Sequence, residues 1–358
     1  MTFTLNEEQN LLKDAARDFC REQAPVTRFR KMRDDKKNGR DPELWAEMAA
    51  MGWAGILVPE EFGGAGLGYV GLGVVLEQSG RTLAASPLLS TAMIGASALL
   101  LGGTDAQKQE WLPKIAAGEC IVAFAVDENA HHAPGKSGLK VAGGKVSGVK
   151  KYVADGHIAD LFIVAGADGL YLVKADAAGV SKRELITVDS RGAADVTFEN
   201  APGEALTGGA ELVQKVLDRA AIGLAAEMIG QAQEAFEITS EYLKTRKQFG
   251  QVIGGFQALQ HRAAKMFTDM ELTRSCVMAA LDALDRDAKD VSEYASLAKA
   301  RAADTLQLVT NEFVQMHGGI GMTDVHDAGL YLKRARVAEA LYGGAAYHRD
   351  RYAKLLGF

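Results

Sequence analysis

Proline and cysteine are the first shortages in this chain, seven and three among 358 residues. With 48% of residues hydrophobic, so little proline excludes a disordered chain and points to a folded one. Cys20, Cys120 and Cys276 lie far apart, and no CxxC spacing occurs. Reduced, buried thiols of a cytoplasmic protein are therefore expected. No apolar run reaches membrane-spanning length. The opening "MTFTLNEEQNLLKDAARDF" lacks the charged-then-apolar order of a signal peptide, so neither membrane nor export is expected. Positive charge is also short. A net charge of −6 argues against a nucleic acid or other general polyanion as partner. A ligand with a few phosphates needs only local cations and stays open. Internal repeats and low-complexity tracts are absent.

What is present reads as three segments. The length exceeds what one simple core uses. Residues 5–34 repeat Leu5, Leu11, Leu12, Ala15, Ala16 and Phe19 at helical spacing. Asp41 before Pro42 starts a further helix, and Gly52 stops it. A glycine loop, "EEFGGAGLG", precedes a helix near 70–84, and Thr104 with Gln107 has capping-box spacing. From about residue 120 short valine-rich runs alternate with glycine and aspartate turns, which predicts antiparallel hairpins. After residue 208 the helical period returns, with helices expected to about 245 and near 256–286, 291–316 and 326–355. The fold class expected is α+β: an N-terminal helical domain (1–119), a middle antiparallel β domain (120–208) and a C-terminal four-helix bundle (209–358).

Two stretches gather ligand chemistry. In "YLKTRKQFGQVIGGFQALQ", Arg246, Lys247, Gln248 and Phe249 set a forked cation, a point charge, an amide and a ring at a helix end. That combination suits a nucleotide. By spacing alone the plainer reading is preferred: the cations complement the helix dipole and Phe249 plugs the core. In "FVQMHGGIGMTDVHD", Gln315 precedes the Gly318–Gly319 pair, which lets backbone approach a ligand or simply caps a helix. His317 and His326 have no carboxylate or cysteine at ligand spacing, so no metal is expected.

Taken together, "RKQFG" and "QMHGG" resemble the two signatures of the acyl-CoA dehydrogenase family, and the resemblance covers nearly the whole chain. It implies FAD as cofactor, an acyl-CoA as substrate and α,β-dehydrogenation as chemistry. It implies that Arg246 and Phe249 hold the ADP half of FAD, with Gln315, Gly318 and Gly319 reaching it from a neighbouring subunit. By the same analogy an electron-transferring flavoprotein is the redox partner.

The most informative shortage lies here. Many members carry the base as glutamate in a tyrosine–glutamate–glycine–threonine turn. This chain has Tyr342, Gly343, Gly344 and Ala345, so Gly343 stands at the base position. A second subgroup carries its glutamate on the first bundle helix, where this chain has Ala220 and Ala221. Asp218 and Glu227 are near in sequence, but each reads as a surface or interface carboxylate. Asp127 replaces the threonine of a flavin-contacting run, and Glu128 is retained. In "YVAD", Tyr152 remains able to cover a flavin face, while Ala154 lacks the expected hydroxyl. An Asp127 carboxylate beside a reduced, anionic flavin would be unfavourable unless protonated or turned away.

The ADP positions therefore match the family and the base positions do not. The chain resembles the small, base-lacking subunit of bacterial heteromeric acyl-CoA dehydrogenases, a heterodimer or heterotetramer linked to bulky acyl groups such as steroid side chains. Two alternatives stay open: a self-sufficient homo-oligomer with Glu128, Glu227 or His348 as base, or a non-catalytic acyl-CoA or flavin-binding protein.

Overall fold

The computed structural model describes residues 4–358. The stretch with helical spacing over 5–34 forms two helices, α1 (Glu7–Glu22) and α2 (Val26–Asp34). The break falls at Pro25, which has no N–H to continue a helix. Helix α1 opens on a capping box, in which Asn6 Oδ1 accepts from the Gln9 N–H at 2.8 Å and Gln9 Oε1 from the Asn6 N–H at 3.0 Å. Asp41 caps α3 (Pro42–Ala50) through the Leu44 N–H at 3.0 Å. Next come α4 (Gly68–Arg81), a π-helical segment Leu89–Gly95, α5 (Ala96–Gly102) and α6 (Asp105–Ala116). The expected box of Thr104 and Gln107 caps α6.

Eight strands follow: β1 (Val122–Ala125), β2 (Lys140–Ala142), β3 (Lys145–Ala154), β4 (Leu161–Ala165), β5 (Leu170–Lys174), β6 (Val180–Leu185), β7 (Ala193–Pro202) and β8 (Glu204–Ala205). They form two four-stranded sheets, ordered β1-β4-β5-β8 and β2-β3-β7-β6. One pairing departs from the antiparallel expectation: β1 and β4 run parallel, with Val122 opposite Leu161. The long intervening chain through β2 and β3 supplies the crossover that a parallel pair needs. The sheets share a core that includes Val146, Phe162, Val173, Val196 and Phe198. Phe162 meets Phe198 edge to face at 5.9 Å.

The C-terminal part begins with α7 (Gly209–Thr245) and a short hairpin, β9 (Lys247–Gln248) with β10 (Gln251–Val252). Then come α8 (Gln257–Asp285), α9 (Val291–His317), α10 (Ala328–Ala340) and α11 (Ala345–Leu355). The expected last helix, 326–355, is thus broken between 340 and 345. No helix among the described residues is long and apolar enough to cross a membrane.

Two compact units divide the chain. One gathers residues up to Phe29, Gly73–Ala84 and Leu224–Phe358; the other holds Arg30–Leu72 and Ala85–Gly223. Helices α4 and α7 contribute residues to both. In the first unit Gly80 and Gly230 let these two helices meet backbone to backbone. A Cβ on Gly80 would stand 2.1 Å from the Glu227 carbonyl oxygen, and one on Gly230 1.8 Å from that of Glu77. Arg81 joins the helices through Glu234 at 2.7 Å and through Glu237.

Candidate active site

The turn between α10 and α11 decides where a base can stand. Tyr342 and Gly343 both have left-handed backbone, with φ of +56° and +97°. A Cβ on Gly343 would lie 2.5 Å from the Tyr347 ring and 3.1 Å from His348 Nε2. The position is therefore filled by neighbours as well as lacking a carboxylate. Lys299 supports the turn from α9. Its side chain is fully buried, and Nζ donates to the carbonyls of Glu339 at 2.9 Å and Gly343 at 2.8 Å. Burial drives its pKa down to about 7. His348 is also buried, and its Nε2–H donates to the Tyr342 carbonyl at 2.9 Å.

The other candidate bases are engaged. Ala220 and Ala221 are buried in α7. Asp218 is buried and accepts from Gln214 at 3.3 Å. Glu227 is buried too, rather than on the surface as the sequence suggests. It accepts from Arg334 Nη2 at 2.9 Å and Nε at 3.0 Å, and from Gln231 at 3.0 Å. A paired carboxylate buried in this way holds helices together. Glu128 accepts from Lys150 Nζ at 2.8 Å, Ser137 Oγ at 2.6 Å and the Gly138 N–H at 2.8 Å. Burial works to raise its pKa, but these bonds outweigh that and hold it below the usual range, which makes it a weak base.

Asp127 has a partner that sequence reasoning missed. Its Oδ1 lies 2.9 Å from His132 Nδ1, so the carboxylate has an imidazole against it. The only signal was a histidine five residues ahead in a loop. Tyr152 is 55% exposed and holds φ at +53°, at a register shift between β3 and β7. Its N–H donates to the buried Asp195 at 3.2 Å, and Asp195 also takes Lys151 at 2.9 Å and Arg183. Ser90 donates to Asp155 at 2.6 Å at the far end of the same loop. An exposed aromatic ring on strained, clamped backbone is an arrangement that suits a ligand platform. In the same unit a cavity of about 360 Å³ opens between Trp111, Asp160, Lys174 and Lys182, lined by none of the residues expected to hold cofactor.

The nucleotide-like stretches lie together in the first unit. Arg246 follows the last residue of α7, is exposed, and has no carboxylate partner among the described residues. Phe249 is 90% exposed with φ +53°, so it does not plug the core. Its ring meets the Phe256 ring edge to face, at 6.1 Å between centroids. Gln315 is exposed near the end of α9. Gly318, with φ +62°, and Gly319 follow, and a Cβ on either would meet nothing within 4 Å. The ends of α7 and α9 touch within one chain, where the Tyr242 and His317 rings stack at 4.2 Å. A neighbouring subunit is thus not needed to bring the two segments side by side. The His317 and His326 rings approach to 4.4 Å with their planes tilted by 45°, and no group of three metal-ligating side chains occurs among the described residues. An uncompensated guanidinium, an open ring and a bare glycine pair fit a group with phosphates and a base, such as ADP.

Comparison with known proteins gives the family. Residues 6–119 match the model of the acyl-CoA dehydrogenase N-terminal domain, and residues 207–357 that of the C-terminal domain. The chain is 33% identical over 340 residues to acyl-CoA dehydrogenase IpdE2 of Mycolicibacterium smegmatis, covering 95% of this chain and 96% of the relative. Its fold is similar to a solved structure described as the Tcur3481-Tcur3483 steroid ACAD G363A variant, with TM-score 0.91, 32% identity and coverage of 99% and 98%. It also shares the fold of the ChsE4-ChsE5 complex of Mycobacterium tuberculosis, with TM-score 0.89, 24% identity and 99% coverage of both chains. The expected architecture of N-terminal helices, middle β region and C-terminal bundle is that of these proteins. The chain belongs to the acyl-CoA dehydrogenase family, oxidoreductases acting on the CH–CH bond of acyl-CoA.

Proposed function

We propose that this chain is the base-lacking subunit of a heteromeric, FAD-dependent acyl-CoA dehydrogenase, and that a longer partner subunit brings the catalytic carboxylate. The observation that carries the reading is the filled base position: Gly343 is left-handed, with the Tyr347 ring where a side chain would begin. The engagement of Glu128, Glu227 and His348 supports it further, because each is already bonded to a neighbour of its own. When bound, FAD supplies the acceptor for the hydride leaving the acyl β-carbon. The chain's own residues bind and orient. Arg246 would pair with phosphate oxygens, Phe249 would cover the adenine, and Gln315 with the Gly318–Gly319 backbone would reach polar edges of the same ADP. Tyr152 and Asp127 are kept as residues facing flavin or substrate in the second unit. Two solved relatives are described as a steroid ACAD and as a two-protein complex, which favours a heteromer acting on a bulky acyl-CoA. An electron-transferring flavoprotein as acceptor and a cytoplasmic location complete the proposal.

Co-expression with a longer family member encoded nearby tests this reading. Flavin absorbance, solution mass and bleaching by acyl-CoA are measured for the chain alone and for the pair. The pair is expected to hold FAD and to bleach, and the chain alone is expected not to bleach. One FAD per subunit with bleaching by the chain alone would overturn the proposal, and a pair that binds FAD without reducing it would favour a non-catalytic binding protein.

A further inference from the structure

The segments that would grip ADP are exposed; the first is closed on itself only as the short β9–β10 hairpin, with the Ile253 N–H donating to the Arg246 carbonyl at 2.9 Å, and the second is a short 3-10 turn, Gly318–Met322. Residues 244–251 and 318–320 are all exposed. Loops of this kind ordinarily lose freedom when a ligand orders them, and that loss weakens binding. Here the helix ends behind them are tied. Tyr242 lies in the last turn of α7, and its carbonyl accepts the Arg246 N–H at 2.9 Å. His317 ends α9, directly before Gly318. Their rings stack with 4.2 Å between centroids and 28° between planes.

His317 is itself fixed on its other sides. It is 4% exposed, and its Nδ1–H donates to the Phe313 carbonyl at 2.8 Å. The Phe313 ring stands edge-on to it at 5.0 Å, and the His326 ring lies at 4.4 Å. His326 Nδ1 accepts the Ala328 N–H at 3.2 Å, which anchors it at the start of α10. Burial lowers the His317 pKa by more than the Phe313 carbonyl raises it, and neighbouring His326 lowers it further, which favours the neutral ring. A flat ring pair fixes distance and tilt together, whereas an aliphatic contact of equal area leaves tilt free.

We propose that the Tyr242–His317 stack is a strut that sets the spacing between the Arg246–Phe249 and Gln315–Gly319 segments, so that both are pre-positioned for the ADP half of FAD. Tyr242 and His317 are positioning residues; neither is assigned a contact with the cofactor. This inference rests on the reading that this face takes ADP.

The test uses the full chain in its co-expressed assembly. FAD affinity is measured by flavin fluorescence, competition by free ADP is measured alongside, and the thermal midpoint is measured without cofactor. Tyr242→Ala, Tyr242→Leu and His317→Leu are expected to weaken both FAD and ADP about tenfold, the cost of one lost aromatic pair. Tyr242→Phe keeps the ring and is expected to bind as the parent does. The cofactor-free midpoint of the leucine variants is expected to stay within a few degrees of the parent. Unchanged FAD and ADP affinity in both leucine variants would overturn the strut, as would a loss that Tyr242→Phe shares. Arg246→Ala separates the premises: if it binds FAD normally, the ADP reading fails, whereas if it loses FAD while the leucine variants keep it, only the strut fails.

Discussion

Gly343 holds φ at +97°, a conformation that side chains with a Cβ rarely adopt, and the Tyr347 ring crowds the place where that Cβ would stand, 2.5 Å away. Gly343→Glu therefore does not rebuild a catalytic turn. It is expected to destabilise the fold by about 1–3 kcal/mol, the usual cost of a side chain forced into strained backbone. A urea titration reads that loss, and acyl-CoA bleaching of the chain alone is expected to stay absent. Bleaching by the variant would show that only the side chain was missing. The absence of the carboxylate was legible in the sequence, because glycine at a resembling position needs no geometry to interpret. The plug was not, because Tyr347 reads as an ordinary residue of the following helix. Asp127 gives a similar case: its unfavourable charge was legible, but its pairing with His132 depends on how the loop of residues 126–139 folds back. Phe249 runs the other way. Its spacing favoured a core plug, and only its 90% exposure shows a ring held out for something else.

Lys299 acts between elements. It reads in sequence as one charge on an amphipathic helix, yet it ties α9 to the last turn of α10 and to the Gly343 carbonyl. Its titration is readable in stability. An unfolded lysine releases its proton near 10.5, and burial brings the folded value to about 7. Between those values the unfolded chain binds more protons, so this group makes stability rise as pH climbs from about 7 towards 10. Below about 7 both forms are charged and the penalty is constant. Lys299→Met is expected to be less stable throughout, because two buried carbonyls lose their donor, and to lose this part of the alkaline rise. Urea midpoints from pH 7 to 10 measure it, and parallel profiles for parent and variant would refute the assignment. Local chemistry made other elements legible: the Thr104–Gln107 capping box, the Asp41–Pro42 start and the Gly52 stop appear as read, whereas the Asn6–Gln9 box was not read. The parallel β1–β4 pair was not legible, since a crossover depends on residues 39 positions away. The break before α11 was signalled by Gly343–Gly344 but hidden by helical spacing on both sides.

For the whole molecule, the order of helices, strands and helices follows from periodicity, and the two signatures carry the family. The division into units does not, because it gathers Gly73–Ala84 with Leu224–Phe358 across more than a hundred residues of intervening chain. The same separation of scales applies to assembly and cofactor. Arg246 is exposed and bonded to no carboxylate among the described residues, so its removal costs the fold little. Its charge-assisted bonds to phosphate would be worth about 1.5–3 kcal/mol, or roughly ten- to a hundredfold in affinity. In the co-expressed pair, Arg246→Ala is therefore expected to lower flavin content sharply while solution mass stays that of the parent assembly. Absorbance at the flavin band and light scattering on one sample read both quantities. A fall in mass together with flavin would mean that the cofactor, rather than the protein surfaces, holds the subunits together. Unchanged flavin would remove the cofactor from this face altogether.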